Sequence, residues 1–192
     1  MGGKKRRVLM VVSNPAISNT TGWPVGFWAA ELTHAYQLFI ENGYDITIAS
    51  PKGGRVEVDA LSDPRDPSGY SKDDTISLRY LNDRNFISLL DNTAIVSDLS
   101  SNDYDAIVVV GGQGPMFTFR DETGLQNAFL EFYNRGKVSA ALCHGTSLLL
   151  YLKDKDGKPL IEDKKITGFT DEEEDFADKT VGKKVMPFRI ED

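Results

Sequence analysis

Short, nearly unbroken apolar runs alternate along the chain with longer stretches in which apolar residues recur every three or four positions. Residues 7–12 form a valine-rich run suited to a central strand covered on both faces. Residues 27–42 carry helical spacing, and Asn42-Gly43 supplies a stop. Residues 44–49 are β-branched and alternating, which predicts a second strand. Residues 105–110 are almost wholly apolar and run into Gly111-Gly112, the pattern of a buried parallel strand entering a tight loop. A helix over 125–134 stops near Gly136. Residues 137–142 predict another buried strand, 145–152 a short apolar helix, and 165–169 a further strand before the acidic stretch 171–175. Strands alternating with helices imply βαβ units. The expected fold is therefore α/β: a three-layer sandwich whose mostly parallel, doubly wound sheet carries helices on both faces.

Two stretches fit this rhythm poorly. Residues 50–74 are rich in Gly, Pro and Asp, with only 55–60 resembling a strand, and are expected to be a surface insertion. Residues 83–99 look helical but lack a clean start signal. No second core follows either stretch, so the 192 residues are expected to form one domain (1–192).

Composition narrows the function. Twenty-two Lys and Arg against 29 Asp and Glu leave a net charge of −7, which argues against general binding to a phosphate backbone. It leaves room for a local basic spot, and Lys4 to Arg7 form one. No apolar run approaches the roughly 20 residues a membrane span needs, and the five apolar residues 8–12 are too short for the core of a signal peptide. Arg6 also breaks the N-myristoylation pattern that Met1-Gly2 would open. With Cys143 the single cysteine, an intramolecular disulfide and a Cys-rich metal site are excluded. A reducing, cytoplasmic setting is expected.

In α/β sheets ligands bind beyond the carboxyl ends of the strands. Cys143 falls at such an end, inside Ala141-Leu142-Cys143-His144-Gly145. Small residues two before and two after a nucleophile are the grammar of a sharp strand-to-helix elbow, which forces the central side chain into the open. A helix N-terminus also favours a thiolate, predicting a thiol pKa below the ordinary value of about 8.5. The bland alternative is a buried structural cysteine. The N–H of His144 is placed to bind an oxyanion, while its side chain is either a base or merely a residue at a helix start. His34, the other histidine, reads as a hydrogen-bonded packing residue, and two histidines without further ligand spacing argue against zinc.

Glu31 shares a predicted helical face with Phe27, His34 and Leu38, so its carboxylate is either partly desolvated and fit for proton transfer or a snorkelling surface group. Gly111-Gly112-Gln113-Gly114-Pro115 lets backbone N–H groups approach a ligand, although it matches neither a Walker loop nor a dinucleotide fingerprint. In Thr170-Asp171-Glu172-Glu173 the spacing predicts a capping box, with one neighbouring acid free to orient His144.

These pieces together resemble the ThiJ/PfpI superfamily, whose sheet is similar to that of class I glutamine amidotransferases and flavodoxin-like proteins. The matching segments are Ala29-Ala30-Glu31-Leu32, Val109-Val110-Gly111-Gly112-Gln113-Gly114-Pro115, the Cys143 elbow and Ile166-Thr167-Gly168-Phe169-Thr170. Gly22-Trp23, the 50–74 insertion and the acids after Thr170 point to the branch of chaperone-like, glutathione-independent glyoxalases (glyoxalase III type). The resemblance implies Cys143 as nucleophile, Glu31 on its sulfur, His144 as base and Glu174 as orienting acid, with Glu172, Glu173 and Asp175 as competitors for that last role. It implies an oxyanion hole from the N–H groups of Gly112 and His144, with Gly111 beside them. It also implies conversion of methylglyoxal, an α-oxoaldehyde, to lactate without cofactor, glutathione or metal, as in a D-lactate dehydratase. A homodimer is expected, and no nucleic-acid or membrane partner. The family usually continues beyond the position of Asp192, so apolar surface is expected near the last strand. Two alternatives stay open: a cysteine peptidase or amidase using the same pocket, and a non-enzymatic holdase or oxidation sensor.

Overall fold

The structure is a computed structural model describing residues 5–192, so the first residue of the Lys4–Arg7 basic run lies outside the described residues. In chain order the strands and helices are β1 (Arg7–Val11), β2 (Ala16–Ile17), β3 (Pro24–Val25), α1 (Ala29–Glu41), β4 (Asp45–Ser50), α2 (Thr75–Leu81), α3 (Arg84–Asp91) and β5 (Ala94–Ile95). They continue with β6 (Ala106–Val109), α4 (Gly114–Thr118), α5 (Thr123–Asn134), β7 (Val138–Ala141), a 3₁₀ helix over Cys143–Tyr151 and α6 (Asp171–Val181). Five strands make a parallel sheet in the order β5-β4-β1-β6-β7, while β2 and β3 pair antiparallel on their own. The α/β, mostly parallel sheet read from the sequence is therefore present. Strand order reverses between β1 and β6, which opens a crevice at their carboxyl ends.

Because side chains alternate along a strand, the sheet builds two cores. Leu9, Val11, Ile107 and Val109 pack with Phe119, Phe129, Phe132 and Leu148, so α5 and the 3₁₀ helix cover one face. Val8, Met10, Val108 and Val110 pack with Phe27, Leu32, Phe86 and Leu90, so α1 and α3 cover the other. Burying each such side chain contributes roughly 1.5–3 kcal/mol. A smaller cluster of Met116, Val185, Met186 and Ile190 seats the C-terminal segment on α4 and α6.

Several local expectations need correction. Residues 165–169 form no strand. With no strand beside them, Ile166 stays exposed, and only Phe169 finds apolar company. The helix expected over 145–152 starts at Cys143 and is a 3₁₀ helix, a tighter coil that draws Gly145 against the β6 carbonyls. In 83–99 the α-helix is only α3, because Asp83 caps it by accepting the Asn85 N–H and the chain then turns into β5 and a 3₁₀ turn over Val96–Asp98. Residues 55–60 carry one isolated bridge, Phe27 to Val58, rather than a strand. α2 was hidden at the insertion's edge, where Asp74 accepts the Ser77 N–H as its cap. The predicted capping box on α6 is present, with Thr170 and Glu173 each accepting from the other's backbone N–H. Among the described residues no helix is long and apolar enough to cross a membrane.

Candidate active site

The crevice is made where β1, β6 and β7 end, and Cys143 sits on its floor. Leu142 before it is still extended, and the chain then turns sharply into the 3₁₀ helix. Cys143 has φ 51°, in the left-handed region that residues with a Cβ rarely adopt, so the elbow is strained. Only a residue without a side chain fits two positions on. A Cβ on Gly145 would lie 2.9 Å from the carbonyl oxygen of Val109.

Three residues converge on the sulfur. Nδ1 of His144 is 3.6 Å from Sγ. The N–H groups of Gly112 and His144 donate to the sulfur, and the Glu31 carboxylate is hydrogen-bonded to it. Behind His144, Nε2 lies 2.9 Å from Oε1 of Glu174, which is fully buried. A carboxylate at Nε2 fixes the proton there, which leaves Nδ1 unprotonated toward the sulfur. The ring of Phe169 packs over the imidazole with centroids 4.2 Å apart. Thus Cys143, His144, Glu31 and Glu174 come together. Of the competing acids, Glu173 is spent on the α6 cap and Asp175 pairs with Arg189.

Two expectations about this site change. Gly111 does not offer a free N–H, because Oε2 of Glu31 accepts it at 2.7 Å. Nor is Glu31 desolvated by its own helix: α1 begins after Phe27, and Leu38 is 60% exposed. Burial against the glycine loop and the elbow raises the Glu31 pKa, with the bonds from Cys143 and Gly111 opposing. The Cys143 thiol, expected below its ordinary range, is pushed up to about 12. Burial and the Glu31 charge raise it, and they outweigh the N–H groups of Gly112 and His144. At rest the sulfur therefore keeps its proton.

Two groups bonded to the site escaped sequence reading. Arg189 lies 3.6 Å from Oε2 of Glu174 and also bonds Asp175 at 2.6 Å and Asp178 at 3.0 Å. Its signal was an arginine among three cations, with Lys183 and Lys184, that follow an acidic helix. Asp59, from the 50–74 stretch, is 1% exposed and accepts the Gln113 N–H at 2.5 Å. No side-chain pattern announces it, since its partners are backbone groups. His34 stands apart on the outer side of α1, 2.8 Å from Asp74. Above Cys143 opens a cavity of about 720 Å³, walled by Trp23, Trp28, Tyr70, Phe169, Phe176 and Met186.

A doubly wound parallel sheet with a strained cysteine elbow, facing N–H donors and backed by a histidine–carboxylate pair, defines an α/β protein with a cysteine set on a strained turn at the carboxyl ends of its strands. The DJ-1/PfpI family matches residues 25–186, and the chain belongs to that family. It is 35% identical over 158 residues to Glyoxalase 3 of Candida albicans, covering 81% of this chain and 64% of that protein. It is 30% identical over 169 residues to the glutathione-independent glyoxalase HSP31 of Saccharomyces cerevisiae, covering 87% and 69%. The crystal structure of glyoxalase III from Candida albicans superposes with a TM-score of 0.74 at 31% identity, covering 92% of this chain and 75% of that one. The Rapid Encystment Protein 24 kDa of Francisella tularensis superposes with a TM-score of 0.83 at 31% identity, covering 97% and 78%. The chain thus spans about two thirds of the length of the curated relatives it matches.

Proposed function

We propose that this chain is a glutathione-independent glyoxalase that isomerises and hydrates methylglyoxal to lactate on Cys143. The observation that carries the reading is the Glu31 carboxylate bonded to the Cys143 sulfur, opposite the His144–Glu174 pair. A hydrolase needs one base and an oxyanion hole. A second acid at the nucleophile is what an internal proton transfer between neighbouring carbons requires. The names of the relatives support the same substrate.

The sulfur attacks the aldehyde carbon while His144 Nδ1 takes the thiol proton. The oxygen that gains charge receives hydrogen bonds from the N–H groups of Gly112 and His144, and then the proton from His144, giving a hemithioacetal. Glu31 removes the hydrogen from that carbon as a proton. The electron pair forms a carbon–carbon double bond while the hydroxyl on that carbon passes its proton through His144 to the ketone oxygen, so an enediolate results. Glu31 returns a proton to the second carbon, the first becomes a thioester carbonyl, and the substrate is redox-neutral overall. Water attacks the thioester with His144 as base, the C–S bond breaks, and lactate leaves with the thiol restored. Burial suits Glu31 to both halves of its task, because a raised pKa makes it a better acceptor and a ready donor.

Purified protein given methylglyoxal without glutathione is expected to form lactate, and Cys143→Ser to form none. A peptide or ester substrate is assayed beside it. Hydrolysis by the wild type with no lactate formed would assign the site to acyl transfer and overturn the proposal.

A further inference from the structure

The turn around Asp59 touches three parts of the molecule at once. Oδ1 accepts the Gly26 N–H at 2.8 Å and Oδ2 the Gln113 N–H at 2.5 Å. The Asp59 backbone N–H donates to the Phe27 carbonyl at 2.8 Å. Its carbonyl accepts the Ser62 hydroxyl at 2.7 Å, and the Ser62 oxygen accepts the N–H of Ala29 at 3.0 Å. That N–H opens α1, the helix carrying Glu31, and no side chain of α1's own N-cap residue performs this task. A segment expected on the surface thus reaches the loop beside the nucleophile.

Gly112 is where this matters. It holds φ +98° and is pressed so closely that a Cβ would collide with the Trp28 nitrogen and lie 2.8 Å from Oδ2 of Asp59. Its N–H points at the sulfur. Glu31 holds the residue before it and Asp59 the residue after it. We propose that Asp59 is a positioning residue, whose carboxylate clamps Gln113 to Gly26 and so aims the Gly112 N–H at the charge that develops beside Cys143. The proposal rests on the cysteine chemistry above for its activity readout, but not for its second readout. Asp59 is shut away from the cavity, so it acts only through the loop.

The variant is Asp59→Asn, which keeps the shape but turns an NH₂ group toward one of the two N–H donors. Misaiming a single donor is expected to lower kcat by about 10- to 100-fold, with KM within threefold of wild type. The second readout is the rate of Cys143 alkylation by iodoacetamide at a fixed pH of about 8, which needs no turnover and follows the thiolate fraction. Loss of the Gly112 hydrogen bond lowers this rate. Removal of nearby negative charge acting through space would raise it. Glu31 and His144, the other titratable groups facing the sulfur, are unchanged in the variant. An unchanged kcat, a faster alkylation, or a loss confined to KM would each overturn the proposal. If neither wild type nor variant forms lactate, the glyoxalase reading fails, and the alkylation rate alone decides the role of Asp59: a slower rate supports it, and an unchanged or faster rate overturns it. Asp59→Ser replaces the amide if Asp59→Asn does not fold. A chain that folds with neither makes Asp59 a folding residue and also overturns the proposal.

Discussion

Glu31 and Asp59 are two buried carboxylates holding one loop, and they differ in what lies beyond it. Each accepts an N–H from a residue flanking Gly112, Glu31 from Gly111 and Asp59 from Gln113. Burial raises the pKa of both. Glu31 continues to the Cys143 sulfur and borders the cavity, whereas Asp59 ends in backbone on every side. A raised carboxylate is therefore not by itself a sign of catalysis. Access to the reacting atoms separates a group that can exchange a proton from one that can only hold a neighbour still.

The largest expected effect breaks the pair on the catalytic side. Glu31→Gln keeps an oxygen for the Gly111 N–H but cannot accept and return a proton. Turnover should fall by about 100- to 10,000-fold, the usual range for lost general acid–base catalysis. Thermal stability near neutral pH should not fall, because the amide also removes a desolvated charge. Turnover within a factor of two of wild type would leave Glu31 with the same holding role as Asp59.

A smaller effect is expected one layer out. In Glu174→Gln the amide can turn its NH₂ toward Nε2 of His144. The ring proton then moves to Nδ1, facing the sulfur, and the base is lost. Turnover should drop by about 100-fold, and it should be only partly restored by raising the pH. Full recovery at high pH would show that His144 does not depend on Glu174 for its tautomer.

What the sequence revealed of this arrangement follows from what each group is bonded to. β1 and β6 were legible because buried parallel strands are apolar on both faces, and residues 7–12 and 105–110 are. The Cys143 elbow was legible because steric crowding demands Gly145, a residue visible in the sequence. Glu174 was reachable only as one of four acids, since its distinction is a partner 30 residues away in the chain. Asp59 was invisible: its partners are backbone N–H groups, which leave no trace in residue type, and its segment has no periodicity to mark burial. The direction of the Cys143 shift was misread for a related reason. Helix position can be inferred locally, but the facing charge of Glu31 comes from an element 112 positions earlier (143 − 31).

Stability across pH sharpens the contrast from the holding side. Burial lifts Asp59 to about 6 from its ordinary 3.8, against the bonds from Gln113 and Gly26. Its contribution to stability is therefore full below pH 3.8, where it is neutral in both states. That contribution declines as pH rises and is lost above about 6, where the folded protein must hold the charge. A rise of that size corresponds to a free energy on the order of 3 kcal/mol. Denaturant melts of Asp59→Asn and wild type should thus diverge in the variant's favour from about pH 4 to about pH 7. A difference that does not change with pH would mean that Asp59 is not held against its own burial. Asp74, at the far end of the same insertion, has the opposite sign. Burial would raise it, but hydrogen bonds from Ser77 and His34 hold it below the usual range, so its contribution is present above pH 3.8 and is lost in acid.

The smallest effect concerns that outer contact. α1 and the 50–74 stretch meet twice: inside, where Ser62 caps the helix and Asp59 clamps the loop, and outside, where His34 Nε2 lies 2.8 Å from Asp74. The outer pair is half open to water on the His34 side, so solvent screens it and its worth is about 0–1 kcal/mol. If the inner bonds alone set the loop, His34→Ala should leave kcat, KM and the Cys143 alkylation rate at wild-type values, with at most a degree or two lost in melting. The Asp74 cap on α2 uses the Ser77 N–H and survives the substitution. A fall in kcat comparable to that of Asp59→Asn would mean that the insertion is held in place from outside. Asp59 would then be one of several grips on it rather than the clamp that aims Gly112.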